Sequence, residues 1–175
     1  MSSWQLAHHA SLVPAGDYEH MVLPDNARWG ARVIIQQDNG ILALLHTFSD
    51  RSNWVLAGGG VEAGETISKA AIREAQEEMR ITIEIERLMY VRVFHWETPV
   101  VEFYVLANIV DGTPQVGHDP EAPTDMQIIT DVRVLTFDEL ENDDDLVFYP
   151  IFMRKRIRQD LQTPPTTALY VGTTP

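Results

Sequence analysis

Apolar and polar positions follow a period of two over much of the chain and a helical period in two stretches. Residues 32–36 form a short apolar run, then come Asp38-Asn39-Gly40 and a second apolar run at 41–45. Asn-Gly between two such runs predicts a tight hairpin, because both residues tolerate a positive φ. Residues 54–57 form a further short strand that leads into Gly58-Gly59-Gly60. Over 81–94, Ile81, Ile83 and Ile85 face one way and Thr82, Glu84 and Glu86 the other. That alternation predicts one long strand, or two with a bend. Residues 100–109 and 132–136 read as strands too.

Helical spacing takes over at 66–79, where Ile67, Ala71, Ile72, Ala75 and Met79 form one stripe. A second helix is expected over 149–161, with Ile151, Phe152, Ile157 and Leu161 apolar and Pro150 in its first turn. A short helical turn is expected at 137–140. The order of strands, helix, strands, helix predicts an α/β fold, a mixed β-sheet with helices packed on its faces. Pro14, Gly16 and Pro24 break any period near the start, and the Thr/Pro-rich stretch after Gln162 reads as loose. The expected organisation is an N-terminal extension at 1–27, one domain at 28–162 and a C-terminal tail at 163–175.

Composition narrows the function classes. The chain has 26 acidic and 13 basic residues among 175, a formal charge of −13. That balance argues against gripping a nucleic acid polymer or an anionic membrane, both of which call for clustered Lys and Arg. It leaves room for a small phosphorylated substrate if metal ions supply the positive charge. With no cysteine, thiolate metal sites, disulfides and cysteine nucleophiles are excluded. No apolar run reaches the roughly 18–20 residues that span a bilayer. Residues 1–17 lack the basic start and apolar core of a signal peptide. A cytoplasmic protein is expected.

The chemistry concentrates at 58–81. Three glycines lead from a strand into a turn, and such a turn can present bare backbone carbonyls to a metal or N–H groups to phosphate. On the helix that follows, Glu74, Glu77 and Glu78 stand at i, i+3 and i+4 and share one face. Clustered carboxylates hold hard cations such as Mg2+ or Mn2+. Arg73 lies beside them, with Glu65 at the turn as its natural partner. An acidic solvated face is the competing explanation of such a helix taken alone.

The segment 59–81 resembles the Nudix box, the signature of the Nudix hydrolases. Its positions fall on Gly59, Glu65, Arg73, Glu74, Ala75, Glu77, Glu78 and Ile81, with Arg80 in place of the usual second Gly. Ala57 stands where the family commonly has Pro. The resemblance implies the Nudix fold, a mixed sheet sandwiched between helices. It also implies a metal-dependent hydrolase that cleaves the diphosphate linkage of a nucleoside diphosphate joined to another moiety. The substrate would be a nucleoside triphosphate, a nucleotide sugar such as ADP-ribose, or a dinucleoside polyphosphate. Carried over, Glu74, Glu77 and Glu78 bind Mg2+ or Mn2+ or assist the water, and the Gly58 carbonyl is a further metal ligand. Gly59, Glu65 and Arg73 support the box. Arg80 stands at the helix end, where a positive φ is expected; a non-Gly residue there costs about 1 kcal/mol.

Family members differ in which Glu is the general base. Besides the helix, Glu97, Glu102, Asp119 and Glu121 are candidates here. Substrate contacts lie outside the box. Arg28, Arg32 and Arg51 are candidates for phosphate and Trp29 for a base, against packing or plain surface roles for each. Gly117 to Glu121 reads as a loop, a flap over the site or ordinary surface. Family habit suggests a homodimer. The competing function is a non-catalytic Nudix-like domain that binds a nucleotide or ADP-ribose as a sensor. The complete carboxylate set argues against it.

Overall fold

The computed structural model describes residues 10–13, 26–95, 97–118, 120 and 127–173. In chain order the strands are β1 (Ala10–Val13), β2 (Arg28–Ile34), β3 (Gln36–Gln37), β4 (Gly40–Thr47) and β5 (Ser52–Val55). Helix α1 (Ile67–Met79) follows, then β6 (Thr82–His95), β7 (Pro99–Asp111) and β8 (Ile129–Thr136). The remaining elements are α2 (Phe137–Asn142), β9 (Phe148–Tyr149), a 3-10 turn at Ile151–Met153, α3 (Ile157–Gln162) and β10 (Leu169–Thr173). No helix among the described residues is long and apolar enough to cross a membrane.

One mixed sheet runs β1-β10-β6-β7-β2, and a second runs β3-β4-β5-β9 with β8 along the other side of β4. Strand β2 parts two cores by simple alternation. Ala31 and Val33 point to α1, where Ala70, Ala71, Ala75 and Met79 meet them. Ile34 points the other way, into a core shared with Phe137 and Leu140 of α2, Met153, and Ile157 of α3. The sheets therefore lie between helices, as the element order predicts.

Helix α1 begins at an N-cap, Thr66, whose hydroxyl accepts from the Lys69 N–H at 3.2 Å. It ends at Arg80 in the left-handed region, φ 57°, as expected for the position after the last turn. Helix α2 carries a capping box between Thr136 and Glu139.

Three expectations need correction. The hairpin turn consists of Asp38 and Asn39, because Gly40 already pairs with Gln37. Asp38 takes the positive φ, 48°. Gly40 is needed for another reason: a Cβ there would lie 2.1 Å from the Leu135 carbonyl of β8. The helix expected over 149–161 starts only at Ile157. Phe148 and Tyr149 pair with Trp54 and Val55, and a residue before proline is pushed toward extended backbone. The stretch after Gln162 is not loose throughout. It supplies β10, which runs parallel to β6 and antiparallel to β1.

Candidate active site

The glycine turn is stitched to the edge of β2. Ala31 N–H donates to the Gly59 carbonyl at 3.0 Å, and Val33 N–H to the Ala57 carbonyl at 2.9 Å. At Gly58, φ +139°, a Cβ would fall 2.0 Å from the Ala31 carbonyl oxygen, so only glycine fits. Gly58 N–H donates to Glu78 Oε2 at 2.7 Å. A Cβ on Gly59 would stand 2.3 Å from Glu74 Oε1. The two glycines thus let bare backbone lie directly against two carboxylates that are each only 6% exposed.

Arg73 ties the turn to the helix. It donates to Glu65 Oε1 at 3.1 Å, Glu74 Oε1 at 2.8 Å, Glu77 Oε2 at 3.0 Å and the Gly60 carbonyl at 2.9 Å. Its pKa is raised, first by the hydrogen bond to Glu65 and then, against burial, by Glu74 and Glu77. The same hydrogen bond holds the Glu65 carboxyl below its ordinary range.

A second cluster faces the turn from the sheet. Glu102 of β7 is buried, and Arg32 Nε donates to its Oε1 at 3.0 Å. The Tyr104 hydroxyl donates to Glu102 Oε2, and Arg92 Nη1 lies 3.5 Å from the same oxygen. Burial alone would raise the Glu102 pKa, but Arg32, Tyr104 and Arg92 together lower it. Burial and the neighbouring Glu102 push the Tyr104 pKa up. Arg32 Nη1 also donates to the Gly58 carbonyl, which joins the two clusters.

A cleft of about 370 Å³ opens beside them, walled by Trp29, Phe94, Val100, Gly59 and Gly60, with Arg28 and Glu97 also lining it. A smaller lobe of about 190 Å³ is lined by His46, Arg92, Tyr104 and Tyr149 among others. Arg32 and Glu102 line both.

The structure brings together Gly58, Gly59, Glu65, Arg73, Glu74, Glu77 and Glu78, and places Arg28, Trp29 and Arg32 at the larger cleft. Arg51 lines neither lobe. It sits in the β4–β5 turn, 3.4 Å from Asp50 and over the Phe48 ring. Of the loop candidates for a base, Glu102 and Glu97 reach the cleft, whereas Asp119 and Glu121 lie outside the described residues. Gly117 and His118 N–H donate to the Glu78 and Glu77 carbonyls at 2.8 Å each. That part of the loop is latched to the end of α1. Arg92, Phe94 and Tyr104 were not predicted. The register carries their signal, since Arg92 and Glu102 are direct cross-strand partners.

The donor set fits a hard divalent cation in kind, being carboxylates and a carbonyl. Among the described residues no group of three His, Asp or Glu side chains stands arranged to hold a cation. Guanidinium groups of Arg73 and Arg32 instead rest on Glu74, Glu77 and the Gly58 carbonyl. Cationic side chains thus lie against oxygens of this set.

The family model described as NUDIX domain matches residues 26–155. A nudix-hydrolase relative in Caenorhabditis elegans is 32% identical over 112 residues, 61% of this chain and 30% of the relative. Nucleoside triphosphatase NudI of Enterobacter sp. (strain 638) is 44% identical over 55 residues, 29% of this chain and 39% of the relative. The matched segments thus span well under half the length of these curated relatives. A solved NUDIX hydrolase from Nitrosomonas europaea superimposes with a TM-score of 0.64 at 18% identity, over 78% of this chain and 90% of that one.

Proposed function

The chain belongs to the NUDIX domain family, and from that premise we propose that it is a metal-dependent pyrophosphohydrolase. Its substrate would be a nucleoside diphosphate linked to another moiety. The observation that carries this reading is the packing of the Gly58-Gly59 backbone against the buried carboxylates Glu74 and Glu78. Burying two carboxylates is costly unless cations balance them. Nothing in a merely solvated acidic helix calls for such a geometry. The likeness to a nucleoside triphosphatase supports testing nucleoside triphosphates first, beside ADP-ribose, other nucleotide sugars and dinucleoside polyphosphates.

In this reading Glu74, Glu77, Glu78 and the Gly58 carbonyl would hold Mg2+ or Mn2+. A bound divalent cation supplies neutralisation of the diphosphate oxygens and an acidified water. The protein's own groups do the rest. Gly58 N–H orients Glu78 through one oxygen. Arg73 fixes the Glu74 and Glu77 side chains on the helix and, through Glu65, the loop that precedes it. Arg32 and Arg28 face the cleft as partners for phosphate, and Trp29 with Phe94 offers apolar walls to a base. A carboxylate at the helix or Glu102 or Glu97 at the cleft takes the proton. The net charge of −13 favours a small metal-carried substrate over a polymer.

The test is phosphate release on that panel with Mg2+, with Mn2+ and with chelator, beside Glu78→Gln. The amide still accepts the Gly58 N–H but loses the charge. Metal-dependent turnover that falls by roughly a hundredfold or more in the variant is expected for loss of a metal ligand. Full turnover in Glu78→Gln would overturn the assignment of the site. No turnover on any substrate, with nucleotide still bound, would favour a sensor.

A further inference from the structure

The Gly58 carbonyl is claimed twice. The proposed function gives it to the metal, and the structure gives it to Arg32. Arg32 is not there by accident of a long surface chain. Gly58 packs so closely on β2 that a Cβ would meet Arg32 Cα at 2.9 Å. The guanidinium is gripped from behind by Glu102, which is itself held by Tyr104 and Arg92. Burial would lower the Arg32 pKa, but Glu102 first and Glu78 among others raise it, so the group is a permanent cation within the field of a carboxylate of the box. A guanidinium and a divalent cation brought to one carbonyl oxygen repel each other.

We infer that Arg32 is an exchange residue: its guanidinium occupies the Gly58 carbonyl in the metal-free protein, and divalent metal binding displaces it from there. This rests on the proposed reading of the box. Glu102 keeps its hold on Nε during the exchange, so the freed end of Arg32 turns into the cleft whose two lobes it already lines. Glu102 thus does not serve the metal. It holds a cation that rests on the Gly58 carbonyl before metal binds and turns into the cleft afterwards.

The experiment is Mn2+ binding, read as the loss of the free-ion EPR signal on titration, for the full chain and three variants. Arg32→Gln removes the competitor. Arg92→Gln removes an equal charge that touches Glu102 but not Gly58. Glu78→Gln removes a box carboxylate. Arg32→Gln is expected to bind Mn2+ roughly three- to tenfold tighter than the unaltered chain, while Arg92→Gln changes by less than about twofold. An Arg32→Gln affinity equal to or weaker than that of the unaltered chain overturns the exchange. So does an equal gain in Arg92→Gln, which would mean a general field effect. Failure of the underlying reading looks different: Glu78→Gln would then bind Mn2+ as well as the unaltered chain. Circular dichroism of each variant separates misfolding from altered affinity. A second readout needs no affinity: Mg2+ should shift the Arg32 Nη–H NMR resonances, identified by their loss in Arg32→Gln, since Nη1 is the atom that leaves the Gly58 carbonyl. Resonances that stay in place at saturating Mg2+ overturn the inference.

Discussion

Arg80 shows how one side chain can stand against the backbone it occupies. Its φ of 57° is left-handed, and its N–H closes the end of α1 on the Ala75 and Gln76 carbonyls. The side chain is exposed and forms no ion pair among the described residues, so removing it loses little, while glycine relieves the steric cost of a Cβ at positive φ. Arg80→Gly is expected to stabilise the fold by about 0.5–1 kcal/mol, read as a higher urea midpoint at unchanged slope. That position was legible because the motif fixes an offset, and the same holds for Glu65, Arg73, Glu74, Glu77 and Glu78, all within one turn and one helix. The partners of Glu102 were not legible in this way. Arg32 is 70 positions away from Glu102 and 26 from Gly58. No period along the chain marks them; only the pairing of β2 with β7 and of β6 with β7 brings them to one layer. The turn at Asp38 failed for a related reason. Gly40 is demanded by the approach of β8, a strand far along the chain, and not by the hairpin itself.

At the scale of elements, the two short helices are held by polar groups as much as by their apolar faces. In α2, Glu139 accepts from the Thr136 N–H at 2.9 Å and pairs with Arg133 at 2.9 Å. The Thr136 N–H is the main cause of its lowered pKa. A carboxyl with a lower pKa in the folded state stabilises the fold above its unfolded pKa, and that contribution disappears as pH falls through the carboxylate range. The group is partly exposed, so about 0.5 kcal/mol is expected. The stability gap between the unaltered chain and Glu139→Gln should therefore be present at neutral pH and shrink as pH falls through the carboxylate range, as measured by urea unfolding. Helix α3 is pinned by a buried strut. Tyr90 donates to Asp160 Oδ2 at 2.6 Å, and Arg156 donates to both oxygens of Asp160 at 2.6 and 3.2 Å. Asp160→Asn keeps an acceptor but leaves Arg156 without its charge partner. A loss of about 2 kcal/mol is expected by urea unfolding, with no change in Mn2+ binding at α1 on the opposite face. Apolar spacing gave the 149–161 stretch as one helix, and Ile157, Leu161 and Phe152 do pack on the core. What it missed is that Phe148 and Tyr149 had a better partner in β5.

At the scale of the whole molecule, β1 and β10 extend the first sheet beyond β6. β10 lies between β1 and β6, pairing with β6 from Tyr90 to Val93. Val171 is 2% exposed in the core that holds Tyr90, Tyr104 and α3. A Thr/Pro-rich composition describes 163–167 and hides the Leu-Tyr-Val alternation after it, which is why the stretch read as loose. Removing residues 163–175 would strip a strand from β6 and uncover Val171's neighbours, a loss of about 2–4 kcal/mol from apolar burial alone. For a chain of this size that lowers Tm by roughly 4–16 °C. The effect should also be uneven across the site. Helix α1 packs on β2, on Ile81 just before β6 and on Ile83 at its start, away from the pairing with β10. Arg92 and Phe94 lie within or beside that pairing. The shortened chain is therefore expected to keep Mn2+ affinity within about twofold while its KM for a nucleotide substrate rises, because the lost strand supports the cleft wall and not the carboxylates. An unchanged Tm would mean that β10 contributes nothing to the sheet. A parallel loss of Mn2+ affinity would mean that the two cores, which β2 separates, unfold as one unit.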